Sequence, residues 1–442
     1  MGAMRKIRLN DAVENLAADH AGALLRLFGM QGVVRAASDH PALAWRRAGL
    51  MAVTGRTDGP GLVAPLALTA VADGALAALR AIAPDAVLPE NGALLLGERA
   101  RMLGFSRRGR VSANNSCHLL DSCDGRIVLN LPRVDDWELV PAWLGEPASD
   151  WTALARITAS QPRAALLEQG RLLGLAIAPD QALDPPAAPF VIEQLAAPRL
   201  VARMPLVVDL SALWAGPLAG SLLGAAGARV IKVESTRRPD GARGGGPEIF
   251  DLLNAGKASV ALDFSDAADV RMLRRLVAAA DIVIESSRPR ALAGLGIDAE
   301  AEARRGATWL SITAHGRTGG AENWIGYGDD AAVAGGLTDA MRSAWGETLF
   351  AGDAIADPLT GITAAFAGWA SWRGGGGRMI SLALSEVVAH ARGLYQAGCG
   401  EIREWQALAE ADDRPLYSLR AADTTAPALG ADTAEICAAI MA

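Results

Sequence analysis

Four apolar segments alternate with helical ones in the second half of the chain. Each is short and rich in Val, Ile and Leu, and they lie at 206–210, 229–234, 281–285 and 309–313. Strands of this type are buried on both faces, and helices between them predict a parallel sheet that helices cover. Such sheets bind ligands beyond the carboxyl ends of their strands. We therefore expect a ligand site in the loops that follow these four strands, after Leu210, Glu234, Glu285 and Thr313.

The first half of the chain has a different pattern. Helical segments are predicted at 7–47, 66–82, 137–145 and 164–174. Residues 117–131 have the pattern of two strands joined by an Asp124-Gly125 turn, which predicts a β-hairpin. Another strand is predicted at 175–178, and the five prolines of segment 179–198 predict a linker or an extended crossover.

These patterns predict an α/β protein with a Rossmann-like parallel sheet domain and a second, smaller α+β domain. A length of 442 residues is sufficient for both. We expect residues 1–200 to form an N-terminal helical and small α+β domain, 201–400 the Rossmann-like domain, and 401–442 a C-terminal tail.

Composition excludes several classes of protein. The net charge is −7, so the chain has no overall attraction for nucleic acid. Four cysteines are not a disulfide framework, which fits a reducing cytoplasm, and five histidines without ligand spacing do not predict zinc. No apolar run free of charge reaches about 18 residues, so no membrane span is expected. Residues 1–4 resemble an expression scar rather than a signal peptide.

The segment 352–368 combines a carboxylate with an apolar helix of small residues. Pro358 suits the first position of a helix, which places Asp357 at the N-cap. A carboxylate there lies beside free backbone N–H groups, and such groups also stabilise a negatively charged intermediate. From this segment alone, a plain helix cap and a reactive carboxylate are both open.

An internal repeat bears on these two roles. Two pairs of glycines have the same spacing of 25 residues: Gly49 with Gly74, and Gly336 with Gly361. The second glycine of each pair opens an Ala-rich apolar helix. In this register Ala70 corresponds to Asp357, so the first copy keeps the packing role and lacks the carboxylate. The repeat therefore weakens a pure packing role for Asp357.

Five motifs follow one another between residues 206 and 390. They are the strand and loop 207–217, the strand 227–234, the Asn-x-x-Lys-x-Ser segment 254–259, the block 281–296 and the loop 311–319. Together they resemble the class III CoA-transferase family (CaiB/BaiF type), which includes formyl-CoA transferase, carnitine CoA-transferase and α-methylacyl-CoA racemase. Asp357 falls where the family has its nucleophilic aspartate. Residues 117–179 are similar to the family's later half, so the order of parts resembles a rearrangement.

The resemblance implies a mechanism and partners. Asp357 would attack an acyl-CoA thioester, and CoA would pass through an aspartyl intermediate to a carboxylic acid. Coenzyme A or acyl-CoA is then a substrate, with no permanently bound cofactor, and the protein is a homodimer, possibly interlocked. A racemase or epimerase of the same family is one alternative, although its His-Asp pair is replaced here by Tyr327-Gly328. A catalytically weak CoA-binding protein is another, given departures at Ser235, Gly328 and around Asn114.

The resemblance also indicates ten residues that contact CoA. They are Trp214, Ala215, Arg237, Arg238, Arg243, Lys257, Ser286, Arg288, His315 and Tyr327. The cations among them suit the phosphate groups of CoA. A solvated loop at 237–243 and lone surface cations at Lys257 and Arg288 are the alternatives. His315 is either pocket lining or a base.

Overall fold

The computed structural model describes residues 11–32, 34, 36, 38–200 and 203–441. The helix expected to begin at residue 7 starts outside these residues, as does the predicted expression scar at 1–4. Within the described part of the chain, no helix is long and apolar enough to cross a bilayer.

Helices account for most of the described elements. The α-helices are α1 (Asp11–Glu14), α2 (Leu16–Leu27), α3 (Pro41–Arg47), α4 (Leu68–Ile82), α5 (Gly92–Met102), α6 (Val134–Glu138), α7 (Val140–Leu144), α8 (Trp151–Thr158), α9 (Arg163–Leu173), α10 (Ala215–Ala225), α11 (Pro247–Asn254), α12 (Ala267–Ala279), α13 (Pro289–Gly294), α14 (Ala299–Arg304), α15 (Gly328–Ala334), α16 (Leu337–Trp345), α17 (Ala356–Arg373), α18 (Leu384–Leu394), α19 (Cys399–Ala411) and α20 (Thr433–Met441). Short 3-10 helices lie at Leu50–Val53, Gly241–Gly244 and Ala321–Asn323. The strands are β1 (Cys117–Ser122), β2 (Gly125–Asn130), β3 (Ala176–Pro179), β4 (Val191–Gln194), β5 (Leu206–Asp209), β6 (Arg229–Ser235), β7 (Ala258–Leu262), β8 (Ile282–Glu285), β9 (Thr308–Thr313) and β10 (Arg378–Ala383).

Seven strands form the large sheet, in the order β4-β10-β9-β8-β5-β6-β7. All neighbouring pairs are parallel except β4 with β10. The predicted parallel sheet is confirmed, and all four apolar segments are strands within it. The linker prediction is wrong in part, because β4 lies inside segment 179–198. An edge position explains how a strand occurs in a proline-rich segment, since proline cannot donate to a ladder inside a sheet.

The three strands of the smaller sheet are antiparallel, in the order β1-β2-β3. β1 and β2 are the predicted hairpin, with Ser122 paired to Gly125 at its end. Helices α7–α9 cover one face and share a core with it around Trp143 and Leu154. The single helix predicted at 137–145 is two helices, α6 and α7, since Pro141 opens the second of them.

The helix α17 packs against helices from both halves of the chain. Its residues from Pro358 to Ser371 are buried. It contacts α10, α18 and the N-terminal helix α4, and one continuous core includes side chains of all four. This core crosses residue 200, whereas the small sheet has a core of its own. The division into residues 1–200, 201–400 and 401–442 stays a prediction.

Candidate active site

Asp357 lies in the first turn of α17. The N-cap is Ile355 and the helix begins at Ala356, so the prediction that Asp357 is the N-cap is wrong. The Asp357 N–H donates to the carbonyl oxygen of Ala354 at 2.9 Å, and Ala354 has a left-handed φ of 42°. This tight turn starts the helical path before Pro358. The Asp-Pro pair therefore does not mark the helix boundary.

The side chain of Asp357 is accessible where its neighbours are not. Every residue from Leu349 to Ser371 is buried except Asp357, which is partly exposed. Burial is expected for the apolar residues of this segment. Asp357 is therefore the most exposed residue of this segment, although its carboxylate packs against Gly328.

Gly328, the first residue of α15, touches the carboxylate. Its backbone N–H donates a hydrogen bond to Asp357. A Cβ atom at this position would overlap Asp357 Oδ2 and the carbonyl oxygen of Ala354. The backbone N–H group at the carboxylate thus comes from α15, whereas the sequence placed it at the start of the aspartate's own helix.

Three more carboxylates lie close to Asp357. Asp329 and Asp330 follow Gly328 on α15, Asp353 lies in the loop before α17, and all three are buried. Burial raises the pKa of Asp357 to about 7, and the negative charge of Asp330 adds to this. Burial and the neighbouring Asp353 raise the pKa of Asp329 to about 8. Asp329 and Asp357 therefore take up protons near neutral pH.

Arg99 on α5 brings a positive charge to the same group. Its Nε and Nη2 atoms donate to the two carboxylate oxygens of Asp353, each at 2.8 Å. The guanidinium carbon lies 4.6 Å from the ring centre of Trp214. The charge of Arg99 opposes the upward shift in the pKa of Asp357. Arg99 thus favours the ionised form of the carboxylate.

His315 and Asp330 form a buried pair beside Gly326. His315 Nε2 lies 3.8 Å from Asp330 Oδ2, and neither atom has a hydrogen-bond partner among the described residues. The second Asp330 oxygen accepts hydrogen bonds from Asn130 Nδ2 at 2.9 Å and from the Tyr327 N–H at 3.0 Å. His315 has the burial of a lining residue, and its role as a base stays a prediction.

The turn that follows Asn114 is connected to this site. The Asn114 Oδ1 atom accepts hydrogen bonds from the Ser116 N–H at 3.1 Å and from the Ser116 hydroxyl at 3.0 Å. Ser116 also bonds to Asn130 at 2.8 Å, and Asn130 donates to Asp330. The small sheet is therefore connected to the carboxylate group through a chain of hydrogen bonds.

Four arginines lie near one another beside Tyr327. Burial, and then the charges of Arg290, Arg238 and Arg133, lower the pKa of Arg288. Arg133 and Arg238 also act on Tyr327, whose phenol has a pKa raised by burial. Like charges held this close favour a bound anion between them. The structure thus brings together three predicted residues, Arg238, Arg288 and Tyr327, with two that the sequence did not indicate.

Lys257 lies in the interior, away from this arginine cluster. Its side chain is 3% exposed, and Nζ lies 2.9 Å from Asp209 Oδ2 and 2.9 Å from the carbonyl oxygen of Pro217. Both predicted environments, a phosphate contact and a surface cation, are contradicted. The reason is that the lysine neutralises a buried carboxylate on β5, which a local motif does not reveal.

Replacing Lys257 with Met should destabilise the fold and leave CoA affinity unchanged. The buried Asp209 would lose its partner, so we expect the melting temperature to fall by several degrees. Thermal unfolding by circular dichroism measures this. The double variant Lys257→Met/Asp209→Leu removes both charges and should regain part of the loss. A weaker CoA affinity with unchanged stability would return Lys257 to the binding site.

Arg237 and Arg243 are also engaged elsewhere. Arg243 pairs with Glu234 at 2.6 Å and packs over Phe250, and Arg237 pairs with Asp263 at 2.9 Å. Their loop is held by Asp240, a buried residue that sequence reasoning missed.

Asp240 organises the loop that follows β6. It accepts hydrogen bonds from Lys232 Nζ at 2.8 Å and from the backbone N–H groups of Leu213 and Ala242. These contacts contradict the alternative of a wholly solvated loop. They also hold in place the backbone of the loop that carries Arg238.

Trp214, Ala215 and Ser286 lie at the carboxyl edge of the large sheet, as expected. Trp214 is the N-cap of α10, and both it and Ala215 are buried. Ser286 accepts a hydrogen bond from the Ala212 N–H at 3.2 Å, which joins the loops after β5 and β8. These residues build the wall of the site rather than its exposed surface.

Comparison with known proteins now identifies the family. The family described as CoA-transferase family III matches residues 205–439, more than half of the chain. The chain belongs to CoA-transferase family III. The resemblance predicted from five motifs is confirmed. Thr54, Arg99 and Asn130 lie before the matched part of this family III protein.

Curated relatives match less than half of the chain. The succinate–glutarate CoA-transferase of Agrobacterium fabrum is 32% identical over 200 residues, which cover 41% of this chain and 50% of that protein. The human succinyl-CoA:glutarate CoA-transferase is 30% identical over 216 residues, which cover 45% of this chain and 49% of that protein. The chain thus spans about half the length of the curated relatives it matches. A crystal structure of a CaiB/BaiF family protein from Brucella suis is 32% identical over 42% of this chain and 53% of its own, with a TM-score of 0.37. That score is too low to bear on the fold.

Sequence reasoning missed several residues of the site. Asp353 had a signal, since it is a second aspartate four residues before Asp357 in the segment already singled out. Arg133 and Arg290 had no signal in the sequence beyond their charge. Arg99 is 254 residues from its partner Asp353, and nothing near it in the sequence differs from an ordinary helix surface.

Proposed function

We propose that this protein is an acyl-CoA:carboxylate CoA-transferase that works through a covalent bond to Asp357. The setting of Asp357 carries the proposal: it is the one partly exposed residue of a buried segment, at the position where the family has its nucleophilic aspartate. Family membership supports the activity, and relatives named as CoA-transferases are 32% and 30% identical over 200 and 216 residues.

The proposed reaction has four steps. The Asp357 carboxylate attacks the thioester carbonyl carbon, which forms a mixed anhydride and releases CoA thiolate. The thiolate attacks the aspartyl carbonyl carbon, which gives an aspartyl-CoA thioester and frees the donor's carboxylate. The acceptor carboxylate attacks that thioester and again releases thiolate, leaving a second anhydride. The thiolate then attacks the acceptor's acyl carbon, so acyl-CoA leaves and the Asp357 carboxylate returns.

No proton moves in this sequence, so the ionisation of Asp357 matters. The carboxylate is the reactive form, and its pKa of about 7 leaves it about half ionised at pH 7. The backbone N–H of Gly328 points to the reacting group and is suited to the oxyanion of a tetrahedral intermediate.

We further propose that the arginine cluster beside Tyr327 binds the phosphates of CoA. Arg238 and Arg288 come from loops at the carboxyl edge of the sheet, where ligands of such folds bind. Arg133, whose guanidinium also pairs with Asp136 at 2.6 Å, lies near them. Arginine suits phosphate because its planar group donates two parallel hydrogen bonds.

Replacing Arg238 with Ala should weaken CoA binding about 10-fold, since a hydrogen bond to a charged group contributes roughly 1.5 kcal/mol or more. Isothermal titration with CoA measures the change, which should shrink as salt is added. Arg237→Ala is the matched control, because its guanidinium is paired to Asp263 and should leave the affinity unaltered. Equal losses in both variants would contradict the proposed phosphate site.

The names of the relatives guide the choice of substrates. They are described as transferring CoA between succinate, glutarate and citramalate. We therefore propose short dicarboxylic acids as donors and acceptors. By resemblance we also propose a cytoplasmic homodimer, which light scattering on the purified protein tests.

The test is an exchange assay with succinyl-CoA and isotopically labelled glutarate. Labelled glutaryl-CoA should form with ping-pong kinetics. Binding of CoA without exchange, across a panel of acyl-CoAs and acids, would favour the CoA-binding alternative instead. Incorporation of deuterium at the α-carbon of a 2-methylacyl-CoA would favour the racemase, although the raised pKa of Tyr327 makes it a poor base.

A further inference from the structure

The internal repeat is present in the structure as two copies of one helical unit. The helices α3 and α15 have seven residues each, and their first residues are 287 positions apart. Gly49 and Gly336 have the same separation, and each is the left-handed N-cap of the next helix, with φ of 83° and 96°. Local backbone structure thus follows the repeat.

Contacts between helices follow the internal repeat as well. A Cβ atom at Gly74 would lie 2.6 Å from the carbonyl oxygen of Ala17 on α2. A Cβ atom at Gly361 would lie 2.6 Å from the carbonyl oxygen of Ala215 on α10. Helices α4 and α2 therefore approach each other as α17 and α10 do, and α4 packs directly on α17.

The third helix of each copy also matches. A Cβ atom at Gly49 would contact the side chain of Arg101 on α5, and one at Gly336 would contact the side chain of Arg392 on α18. Aligning these two arginines puts α5 in register with α18. The first copy is thus α2–α5, and the second is α10 with α15–α18.

The first copy lacks what the reaction needs. Only 13 residues separate α2 from α3, whereas 102 residues separate α10 from α15 and contain four strands, β6–β9. Ala70 occupies the position of Asp357. What the first copy retains is the set of helices that packs on the second copy and presents Arg99.

We propose that the N-terminal helices are a degenerate second copy of the catalytic half, whose function is to supply Arg99, from the same chain, as a positioning residue for the Asp357 site. This rests on the proposed transferase function. The carrying observation is the ion pair of Arg99 with the loop that leads into Asp357. The stacking of Arg99 on Trp214 fixes its guanidinium from a second side.

The charge balance at Asp357 explains the value of this arrangement. The groups that face it are Arg99 from α5, Asp329 and Asp330 from α15, and Asp353 from the preceding loop, with Tyr327 and His315 beyond Asp330. The charges of Asp330 and Asp353 favour protonation of Asp357. Arg99 offsets them, both directly and by neutralising Asp353.

The pH dependence of transfer tests this role. Because the ionised carboxylate reacts, the wild-type rate should rise through about pH 7. In Arg99→Met the rising part, or limb, of the rate–pH profile should shift to higher pH by about one unit. The transfer rate should then be about 5-fold lower than wild type at pH 7 and little changed at pH 9. Arg99→Lys should return the limb towards wild type. Asp329 titrates in the same pH range as Asp357. The rising part of the pH profile therefore reports the coupled carboxylates rather than one residue.

Arg101→Met is the matched control, since Arg101 is on the same helix and bonds to the carbonyl oxygen of Tyr417 instead. It should leave the limb unmoved. If the wild-type protein transfers CoA and a folded Arg99→Met variant has the same pH profile as wild type, the inference is overturned. Arg99→Gln is the second variant to use if Arg99→Met does not fold. Failure of transfer in the wild-type protein would instead overturn the proposed function.

Co-expression tests whether Arg99 acts within its own chain. Chains carrying Arg99→Met and chains carrying Asp357→Asn are given different tags, and assemblies containing both are purified. If each site is built from one chain, no wild-type site forms, and activity stays at the level of the single variants. Failure to isolate any mixed assembly also supports a site within one chain. Recovery of activity towards half that of the wild type would show that Arg99 comes from another chain and would overturn the inference.

Discussion

Asp357→Asn should abolish CoA transfer, with a fall in kcat/KM of about 10⁴-fold or more. Asparagine has the same shape, but its amide cannot form the mixed anhydride that the proposed reaction requires. The affinity for CoA should stay within about threefold of wild type, because the arginine cluster that we propose to bind CoA does not include Asp357. Steady-state transfer from succinyl-CoA and titration with CoA measure the two quantities.

Stability should respond in the opposite direction to activity. The folded-state pKa of Asp357, about 7, lies above its usual value, so its ionised form costs stability at pH above 7. Asparagine removes this cost, and the melting temperature at pH 8 should be equal to or above that of the wild type. Asp19→Asn is the matched control, since Asp19 is an exposed aspartate in the first turn of α2. Transfer within tenfold of wild type in Asp357→Asn would rule out a nucleophilic role.

Gly328→Ala should lower kcat about 100-fold, the second largest effect we expect. The added Cβ would overlap both Asp357 Oδ2 and the carbonyl oxygen of Ala354, so the carboxylate or its turn must move. Displacing a reacting group by about 1 Å costs on the order of 100-fold. Rapid-quench measurement of the acylation step shows whether the chemical step itself is slowed.

Gly294→Ala provides the control for this substitution. Gly294 also lies in a helix, α13, and a Cβ there would meet no atom within 4 Å. It should behave as the wild type in both stability and turnover. Wild-type kcat in Gly328→Ala would mean that Asp357 is not held by this contact.

The large sheet was predictable because its strands carry their own signal. Continuous runs of Val, Ile and Leu such as 206–210 need no distant partner to identify them, and the Asp-Gly turn likewise marks the hairpin. The edge strand β4 escaped prediction because its residues are largely exposed and flanked by prolines. Only its pairing with β10, almost 190 residues later, makes it a strand.

The carboxylate that we propose as nucleophile was singled out by its motif, but its structural surroundings were not predictable. Asp-Pro is a local signal for a helix start, and the real boundary depends on the turn at Ala354, which Asp329 and Thr54 fix from other elements. Arg99 and Lys257 show the same limit. Whether a cation binds a ligand or neutralises a buried aspartate is decided by residues that are distant in sequence.

The most direct test of the account is the intact mass of the protein after incubation with succinyl-CoA or glutaryl-CoA. We expect a hydroxylamine-sensitive adduct of CoA, which peptide mapping places on Asp357 and which is absent in Asp357→Asn. No adduct with any acyl-CoA tested, in a protein that still binds CoA, would contradict covalent transfer through Asp357.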